Sequence, residues 1–224
     1  MKNIIGGGSV KSRVAYQMII EAERDGRIPE PPNNVTIIEA TGGNTGIGLA
    51  QMCALRGYKC ILVVPDNYSK VRVRLLKKMG AKVLLSDHNI GNDSHIKMVH
   101  DILRKNPDFI HLDQFSNKAN PQSHYIGTGQ EILHQFQGQL NAFVAGIGSG
   151  GTISGVGKAL KEHNPTIKIY GVQPKGCDVL NGFAIPHIIQ GVAIGQLPKV
   201  LDLSIIDGII DVDKVSVLNI IAVR

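Results

Sequence analysis

Tryptophan is absent, and Phe, Trp and Tyr together make up only 4% of the 224 residues. A protein this poor in aromatic rings lacks the stacking platforms on which single-stranded nucleic acid is held. Charge of one sign is equally scarce, since 24 Lys+Arg against 18 Asp+Glu leave a net charge of +6. The basic residues are scattered, with one local cluster at Lys70, Arg72, Arg74, Lys77 and Lys78. Helical spacing puts Lys70, Arg74 and Lys77/Lys78 on one face and Val71, Leu75 and Met79 on another. Without interleaved aromatics that cluster reads as a solvated helix face, and nucleic acid is not an expected partner. Its reach extends to a weak attraction for anionic metabolites.

Cysteine is nearly missing too. Cys53, Cys60 and Cys177 are odd in number and lack metal-ligand spacing, which excludes a disulfide scaffold and leaves no metal site to expect. They fit the reduced thiols of a cytoplasmic protein, with Cys53 and Cys60 in apolar, core-like surroundings. No apolar run approaches the length that spans a bilayer; Cys60 to Pro65 is strand-sized. The opening Met1 to Gly6 has no signal-peptide hydrophobic stretch. Neither a membrane nor a secretory route is expected.

What is present is α/β patterning on a chain long enough for one large domain or two small ones. Gly6-Gly7-Gly8-Ser9 predicts a turn with Ser9 capping a helix from Val10 to Arg27, whose Val14, Met18, Ile19 and Ala22 form an apolar face. Pro29, Pro31, Pro32 and Asn33-Asn34 predict a stiff connection. Strands are then predicted at Thr36–Glu39, Lys59–Val64, Lys82–Leu85, Phe109–Leu112, 142–147 and Lys168–Val172. Between them fall helices at Asn44–Arg56, Ser69–Met79, Asn92–Lys105 (capped by Asn92 or Asp93), His124–Gln137 and 153–163. One or two short strands are expected in Leu203–Val212 and a helix over Val215–Val223. Strands without polar alternation, separated by helices, predict parallel sheets covered on both faces. In such sheets ligands bind at the carboxyl ends of the strands. The loops there are Ala40–Gly46, Pro65–Tyr68, Asp113–Asn117 and Gly146–Thr152.

Three stretches carry chemical potential. Ala142 to Gly146 runs as a buried strand into Ile147-Gly148-Ser149-Gly150-Gly151-Thr152 and then a helix. Converging N–H groups at a helix N-terminus and the hydroxyls of Ser149 and Thr152 suit a phosphate, although tight strand-to-helix packing would use the same glycines. Thr41-Gly42-Gly43-Asn44-Thr45-Gly46 is a polar glycine loop joining a strand to a helix; alone it reads as a turn and N-cap. Lys11 in Gly7-Gly8-Ser9-Val10-Lys11-Ser12-Arg13 alone reads as a surface lysine. A nicotinamide cofactor fits poorly, because Gly42-Gly43-Asn44-Thr45-Gly46 lacks G-x-G-x-x-G spacing and Asp66 follows a proline.

Taken in order, the three stretches resemble pyridoxal-phosphate enzymes of the tryptophan synthase β-subunit fold type, within the cysteine synthase and cystathionine β-synthase family. That family's motifs are G-G-S-[VI]-K-D-R, T-S-G-N-T-G and G-[TS]-G-G-T. Also in agreement are Ile38-Glu39, Gly46 to Ala50, Gln114-Phe115, Asn120-Pro121, His124-Tyr125, Thr128-Gly129 and Glu131-Ile132. The resemblance implies two three-layer αβα domains with mostly parallel sheets, one spanning 35–139 and the other 1–34 with 140–224. It implies pyridoxal 5′-phosphate bound as a Schiff base on Lys11, which then acts as the base at the substrate Cα. Gly148, Ser149, Gly150, Gly151 and Thr152 would bind the phosphate and Asn44 the ring oxygen. Thr41, Gly42, Gly43, Thr45 and Gln114 would hold the substrate α-carboxylate. The implied reaction is β-replacement on an O-activated L-serine through an aminoacrylate, as in making cysteine and acetate from O-acetylserine and sulfide, by a homodimer. Neighbouring readings are cystathionine β-synthase or a diaminopropionate synthase using another nucleophile. A reading of another class is a truncated, non-catalytic paralogue or binding partner.

The chain departs from the motifs at Ser12 for Asp, at Gly42 for Ser, and in Gln190-Gly191-Val192-Ala193-Ile194-Gly195, where the family has Q-G-I-G-A-G. Gly42 removes a hydroxyl donor, and the bulk at 193 and 194 would reshape the substrate pocket. The resemblance further implies a fold incomplete at both ends. It lacks a strand-rich stretch before the lysine motif and a C-terminal serine-glycine loop that meets the pyridine nitrogen.

Overall fold

The apolar stretches at 36–40 and 59–65 form adjacent parallel strands, and the first sheet grows outward from them. The computed structural model describes residues 8–29, 34–91 and 93–213. Its elements are α1 (Lys11–Arg24), β1 (Thr36–Ala40), α2 (Asn44–Arg56), β2 (Lys59–Pro65), α3 (Lys70–Lys78), β3 (Lys82–Ser86), α4 (Ser94–Lys105) and β4 (Ile110–His111). There follow α5 (Ala119–Ser123), a wider π turn (His124–Gly129), α6 (Gln130–Gln135), β5 (Ala142–Gly146), α7 (Gly151–His163), β6 (Lys168–Pro174), a 3-10 turn (Leu203–Ile205) and β7 (Gly208–Val212). Two compact units divide the chain, Met1–Asp113 and Gln114–Arg224.

In the first unit four strands lie in the order β3-β2-β1-β4, all parallel. Successive strand residues face opposite sides, so β2 reports both coverings. Ile61 and Val63 pack with Ile38 against Val99 of α4. Leu62 faces the other way, toward Gly46 of α2 and Leu76 of α3. The unit is therefore three layers, helix, sheet and helix. Each large aliphatic chain buried here stabilises the fold by roughly 1.5–3 kcal/mol. In the second unit β5-β6-β7 form a parallel three-stranded sheet. Ile147, Ile153, Val156, Leu160, Ile167 and Ile169 make its core beneath α7. No described helix is long and apolar enough to cross a membrane.

Most predicted elements are present, with informative differences. The apolar face of α1 (Val14, Met18, Ile19, Ala22) is fully buried. However, α1 stops at Arg24 because Gly26 takes a left-handed φ of 76°. Ser9 does not cap α1: Val10 already has helical angles and the Ser9 hydroxyl makes no hydrogen bond. Asp93 likewise does not cap α4, its carboxylate pairing instead with Lys97 at 2.9 Å. On α3 the predicted apolar face is the exposed one, since Val71 and Leu75 face solvent and Leu76 alone is buried. The strand β5 is not buried either. It lies at the edge of its sheet, and Val144 is 53% exposed. Leu203–Val212 yields one 3-10 turn and one strand, and His124–Gln137 is a π turn followed by α6. The predicted helix over Val215–Val223, with Pro31, Pro32, Asn33 and Asn92, lies outside the described residues.

Candidate functional site

Lys11 is the first residue of α1. Where α1 crosses α2, a Cβ on Gly48 would come within 3.1 Å of the Lys11 carbonyl oxygen and 2.9 Å of the Ala15 methyl. Only a glycine lets the two helices approach this closely, and the contact lies one turn beyond Asn44. The first unit thus brings Lys11 beside the helix that opens with Asn44 and Thr45. The Lys11 side chain is half-buried, and burial lowers its pKa from 10.5 to about 8. Loss of hydration disfavours the charged amine. Roughly a quarter of it is then neutral at pH 7.5, the form in which an amine can act as nucleophile or base.

The Thr41–Thr45 loop follows β1 at its carboxyl end. Gly43, extended at φ −88° and ψ −159°, leads into α2, and its N–H points to Thr41 Oγ1 at 3.4 Å. Thr41 and Thr45 are buried while Asn44 is exposed, so the first turn of α2 presents its amide end and the Asn44 side chain outward. This end of the helix dipole favours an anion. Beneath it, Glu39 is 2% exposed and accepts the Asp113 N–H at 2.9 Å, with His111 Nε2 at 3.5 Å. Burial by itself would lower the His111 pKa, but the Glu39 hydrogen bond and charge, with Asp113, outweigh it and hold the imidazole above its ordinary value.

The second unit holds Gln114 and the Gly148–Thr152 loop. Gly150 has a φ of 81°, and a Cβ there would sit 2.8 Å from the Leu201 Cβ. A Cβ on Gly148 would collide with the Gly191 carbonyl. Glycine is required at both places, and the segment 190–195 is packed directly onto the loop. The hydroxyls are held from behind. Asn120, with no exposed surface, donates from Nδ2 to the Gln114 carbonyl at 2.7 Å and to Ser149 Oγ at 3.1 Å. His124, equally buried, lies between Thr152 Oγ1 at 3.2 Å and Thr128 Oγ1 at 3.0 Å. Gln114 and the glycine loop are thus parts of one buried polar network. The predicted residues consequently fall into two groups: Lys11 with Thr41, Gly42, Gly43, Asn44 and Thr45 in the first unit, and Gln114 with Gly148 to Thr152 in the second.

Asn120 and His124 stand in stretches that agree with the family resemblance, but nothing in the sequence assigns them the support of Ser149 and Thr152. Tyr68 was missed as well. It stands at the end of β2 in one of the four carboxyl-end loops, and its ring lies over Gly42. The departures at 193 and 194 line a cleft beside Gly148 with Phe183, Gly195 and Val179. Among the described residues Asp66, Asp87 and His88 form the sole cluster with metal-ligand proximity. All three are exposed, and the His88 Nδ1 to Asp66 hydrogen bond at 2.6 Å lowers the Asp66 pKa.

Comparison with known proteins adds lineage to this geometry. A cysteine synthase of Staphylococcus aureus (strain Mu50 / ATCC 700699) is 44% identical over 208 residues, covering 92% of this chain and 66% of that protein. A cystathionine beta-synthase of Apis mellifera is 41% identical over 222 residues, 95% of this chain and 43% of that protein. The chain therefore spans a little under two thirds of the staphylococcal protein's length. Among solved structures, a hydrogen sulfide-producing enzyme from Fusobacterium nucleatum superposes with a TM-score of 0.89 at 37% identity, covering 97% of this chain and 72% of that one. An O-ureido-L-serine synthase gives 0.88 at 37% identity, with 94% and 66% covered. A cysteine synthase from Entamoeba histolytica gives 0.86 at 35%, with 92% and 60% covered. The fold is thus that of the cysteine synthase-like enzymes, and the family match runs from residue 2 to residue 222, across both units and all three motif stretches. On that ground the chain belongs to the family of pyridoxal-phosphate dependent enzymes.

Proposed function

We propose that this chain forms the catalytic part of a β-replacement enzyme acting on an O-activated L-serine, with cysteine synthase activity as the leading reading. The observation that carries it is Lys11, an amine brought to a pKa of about 8 by burial, on a helix packed against Gly48 one turn into α2. The residues fit the cofactor of the family. Gly148 and Gly150 let the loop pack against Gly191 and Leu201 and turn into the first turn of α7, where N–H groups and the Ser149 and Thr152 hydroxyls, contacted by Asn120 and His124, are a donor set suited to a phosphate. Gly148 to Thr152 would hold the phosphate, Asn44 the ring oxygen, and Lys11 the reactive carbon. When bound, pyridoxal 5′-phosphate supplies the electron sink for charge developing at the substrate Cα.

The protein's own part is positioning and proton transfer. Thr41, Gly42, Gly43 and Thr45, with Gln114, hold the substrate α-carboxylate, an anion met by the positive end of α2. Lys11 would take the proton from the substrate Cα as the Cβ–O bond breaks and acetate leaves. Sulfide then adds to Cβ, and Lys11 returns the proton to Cα. Gly42, which lacks a serine's hydroxyl, and Ala193 and Ile194 beside the loop favour a second reading with another nucleophile, as in cystathionine or diaminopropionate formation. The proposal retains the domain grouping of 35–139 against 1–34 with 140–224 for the whole enzyme. It also retains a homodimer and a cytoplasmic setting, the second of which accords with three buried free thiols.

The test is direct. Purified protein mixed with pyridoxal 5′-phosphate should turn yellow, and borohydride should fix the cofactor on Lys11 in a peptide map. O-Acetylserine should then shift the visible band, and product analysis with sulfide, homocysteine or ammonia names the nucleophile. A protein that stays colourless is a non-catalytic paralogue or binding partner, and the enzyme reading falls.

A further inference from the structure

Gly42 and Tyr68 are a matched pair. A Cβ at residue 42 would lie 2.7 Å from Tyr68 Cε1, 3.0 Å from Tyr68 Cδ1 and 2.7 Å from Val64 Cγ1. No side chain fits there while the Tyr68 ring holds its position. The ring carries its oxygen to the neighbouring residue, 3.8 Å from where a Gly43 Cβ would stand. The phenol is held by Arg72 in the first turn of α3, whose Nη1 donates to Tyr68 Oη at 3.1 Å. The guanidinium carbon also lies 5.9 Å from the ring centroid. Tyr68 and Arg72 are both half-buried. Because its oxygen accepts from Arg72, the Tyr68 O–H proton is directed away from that guanidinium. An anion resting on the amide end of α2 would be an acceptor for it.

We propose that Tyr68 is a specificity-determining residue that donates to the α-carboxylate of the amino-acid substrate, replacing the hydroxyl missing at position 42, and that Arg72 is its positioning residue. This rests on the β-replacement reading, which assigns the Thr41–Thr45 loop to that carboxylate. The arrangement exchanges a short hydroxyl on the loop for a rigid phenol reaching in from the end of β2. Substrates must therefore leave the ring's volume clear beside their carboxylate. A compact O-acylated or O-carbamoylated serine satisfies that condition, and an α-substituted analogue does not.

The experiment titrates the cofactor-loaded full chain with O-acetyl-L-serine and follows the visible absorbance, with borohydride labelling of Lys11 as an independent readout. Tyr68→Phe should raise the half-saturating substrate concentration about tenfold, the loss of one hydrogen bond to a charged group, and leave labelling unchanged. Arg72→Gln should raise it a few-fold. Gly42→Ser should be worse than Tyr68→Phe because its Cβ strikes the ring. The double variant Gly42→Ser/Tyr68→Ala should bind several-fold better than Gly42→Ser alone, since the ring clash is gone and a hydroxyl returns, and should stay weaker than the parent because the Val64 contact remains. Labelled, responsive parent protein with an unchanged Tyr68→Phe titration overturns the assignment and leaves the β-replacement reading standing. A parent that takes no label overturns both.

Discussion

The Thr41–Thr45 loop and the Gly148–Thr152 loop each run from the end of a parallel strand to the first turn of a helix, yet they are held differently. The second is held from behind by buried polar side chains, Asn120 on Ser149 and His124 on Thr152, above a core that includes Ile147 and Ile153. The first shows a long Gly43 N–H to Thr41 Oγ1 contact of 3.4 Å, an exposed Asn44 and a tyrosine ring over Gly42. A ligand part that never changes, such as a phosphate, suits a rigid cradle. A part that differs between substrates suits a loop whose neighbours can be exchanged. The departures follow that division, because Gly42 lies in the first loop and Ala193 and Ile194 line the cleft beside Gly148 rather than the cradle itself.

The largest effect should come from the reactive end of the first unit. Lys11→Ala should abolish borohydride labelling and lower turnover by roughly 10³-fold, within the range for loss of a positioned proton-transfer group. Labelling that persists at another lysine would mean that the rigid and the exchangeable loops have been assigned around the wrong amine. Next come the supports of the two loops. Asn120→Leu leaves the buried Gln114 carbonyl without its donor and Ser149 without its anchor, at a cost of about 1–3 kcal/mol. Thermal melts should show it, together with weaker retention of pyridoxal 5′-phosphate. Thr41→Val breaks only the 3.4 Å contact and should cost well under about 1 kcal/mol. Equal effects in the two loops would remove the contrast between them.

A smaller, pH-dependent effect belongs to Lys11 alone. Capture of the cofactor needs the neutral amine, so its rate in cofactor-free protein should rise about tenfold from pH 7 to pH 9, with a midpoint near 8 rather than 10.5. Stability moves the same way. Between about 8 and 10.5 the unfolded chain holds a proton on Lys11 that the folded chain has released, so this group makes the fold more stable as pH rises. Urea melts of the parent against Lys11→Met should diverge in that window. Measurements are best kept below pH 10, where Tyr58 does not intrude. Burial and its hydrogen bond to Glu23 push that phenol up to about 12, and its contribution has the opposite sign.

Much of the architecture was legible because continuous apolar strands such as Ile37-Ile38 and Cys60 to Val64 alternate with helices of fixed period. The readings that failed concern matters that periodicity does not encode. Val71 and Leu75 share a helical face, but the sheet meets α3 through Leu76 instead. Val144 looks like a core residue, yet β5 is an edge strand. Ser9 and Asp93 are suitable capping residues whose oxygens are not used that way. Among the candidate site residues, the glycine loops stand out in the sequence because backbone conformation restricts residue type, whereas Lys11, alone a surface lysine, stands out only through the motif it shares with the family. Asn120 and Tyr68 were not, since only the fold sets an amide behind Ser149 or a ring over Gly42.

The smallest predicted effect lies next to the rigid cradle, at Ala193. Its φ is 47°, the left-handed region that a glycine occupies freely, and the motif resembled has glycine there. The conformation is enforced, because the Ala193 N–H donates to the Ile147 carbonyl at 2.8 Å and the residue is 6% exposed. A non-glycine residue held in this region costs on the order of 1 kcal/mol or more. Ala193→Gly relieves that strain but adds freedom to the unfolded chain, an opposing effect of about 0.4–1 kcal/mol. The expected result is a gain of up to about 1 kcal/mol in thermal or urea melts. The methyl group also lines the cleft beside Gly148, so the same variant should accept a bulkier nucleophile without changing retention of the phosphate. If the cradle is as rigid as its buried supports imply, stability and nucleophile range will respond while cofactor affinity stays fixed. A change in affinity would instead show that segment 190–195, packed on Gly148, sets the shape of the loop.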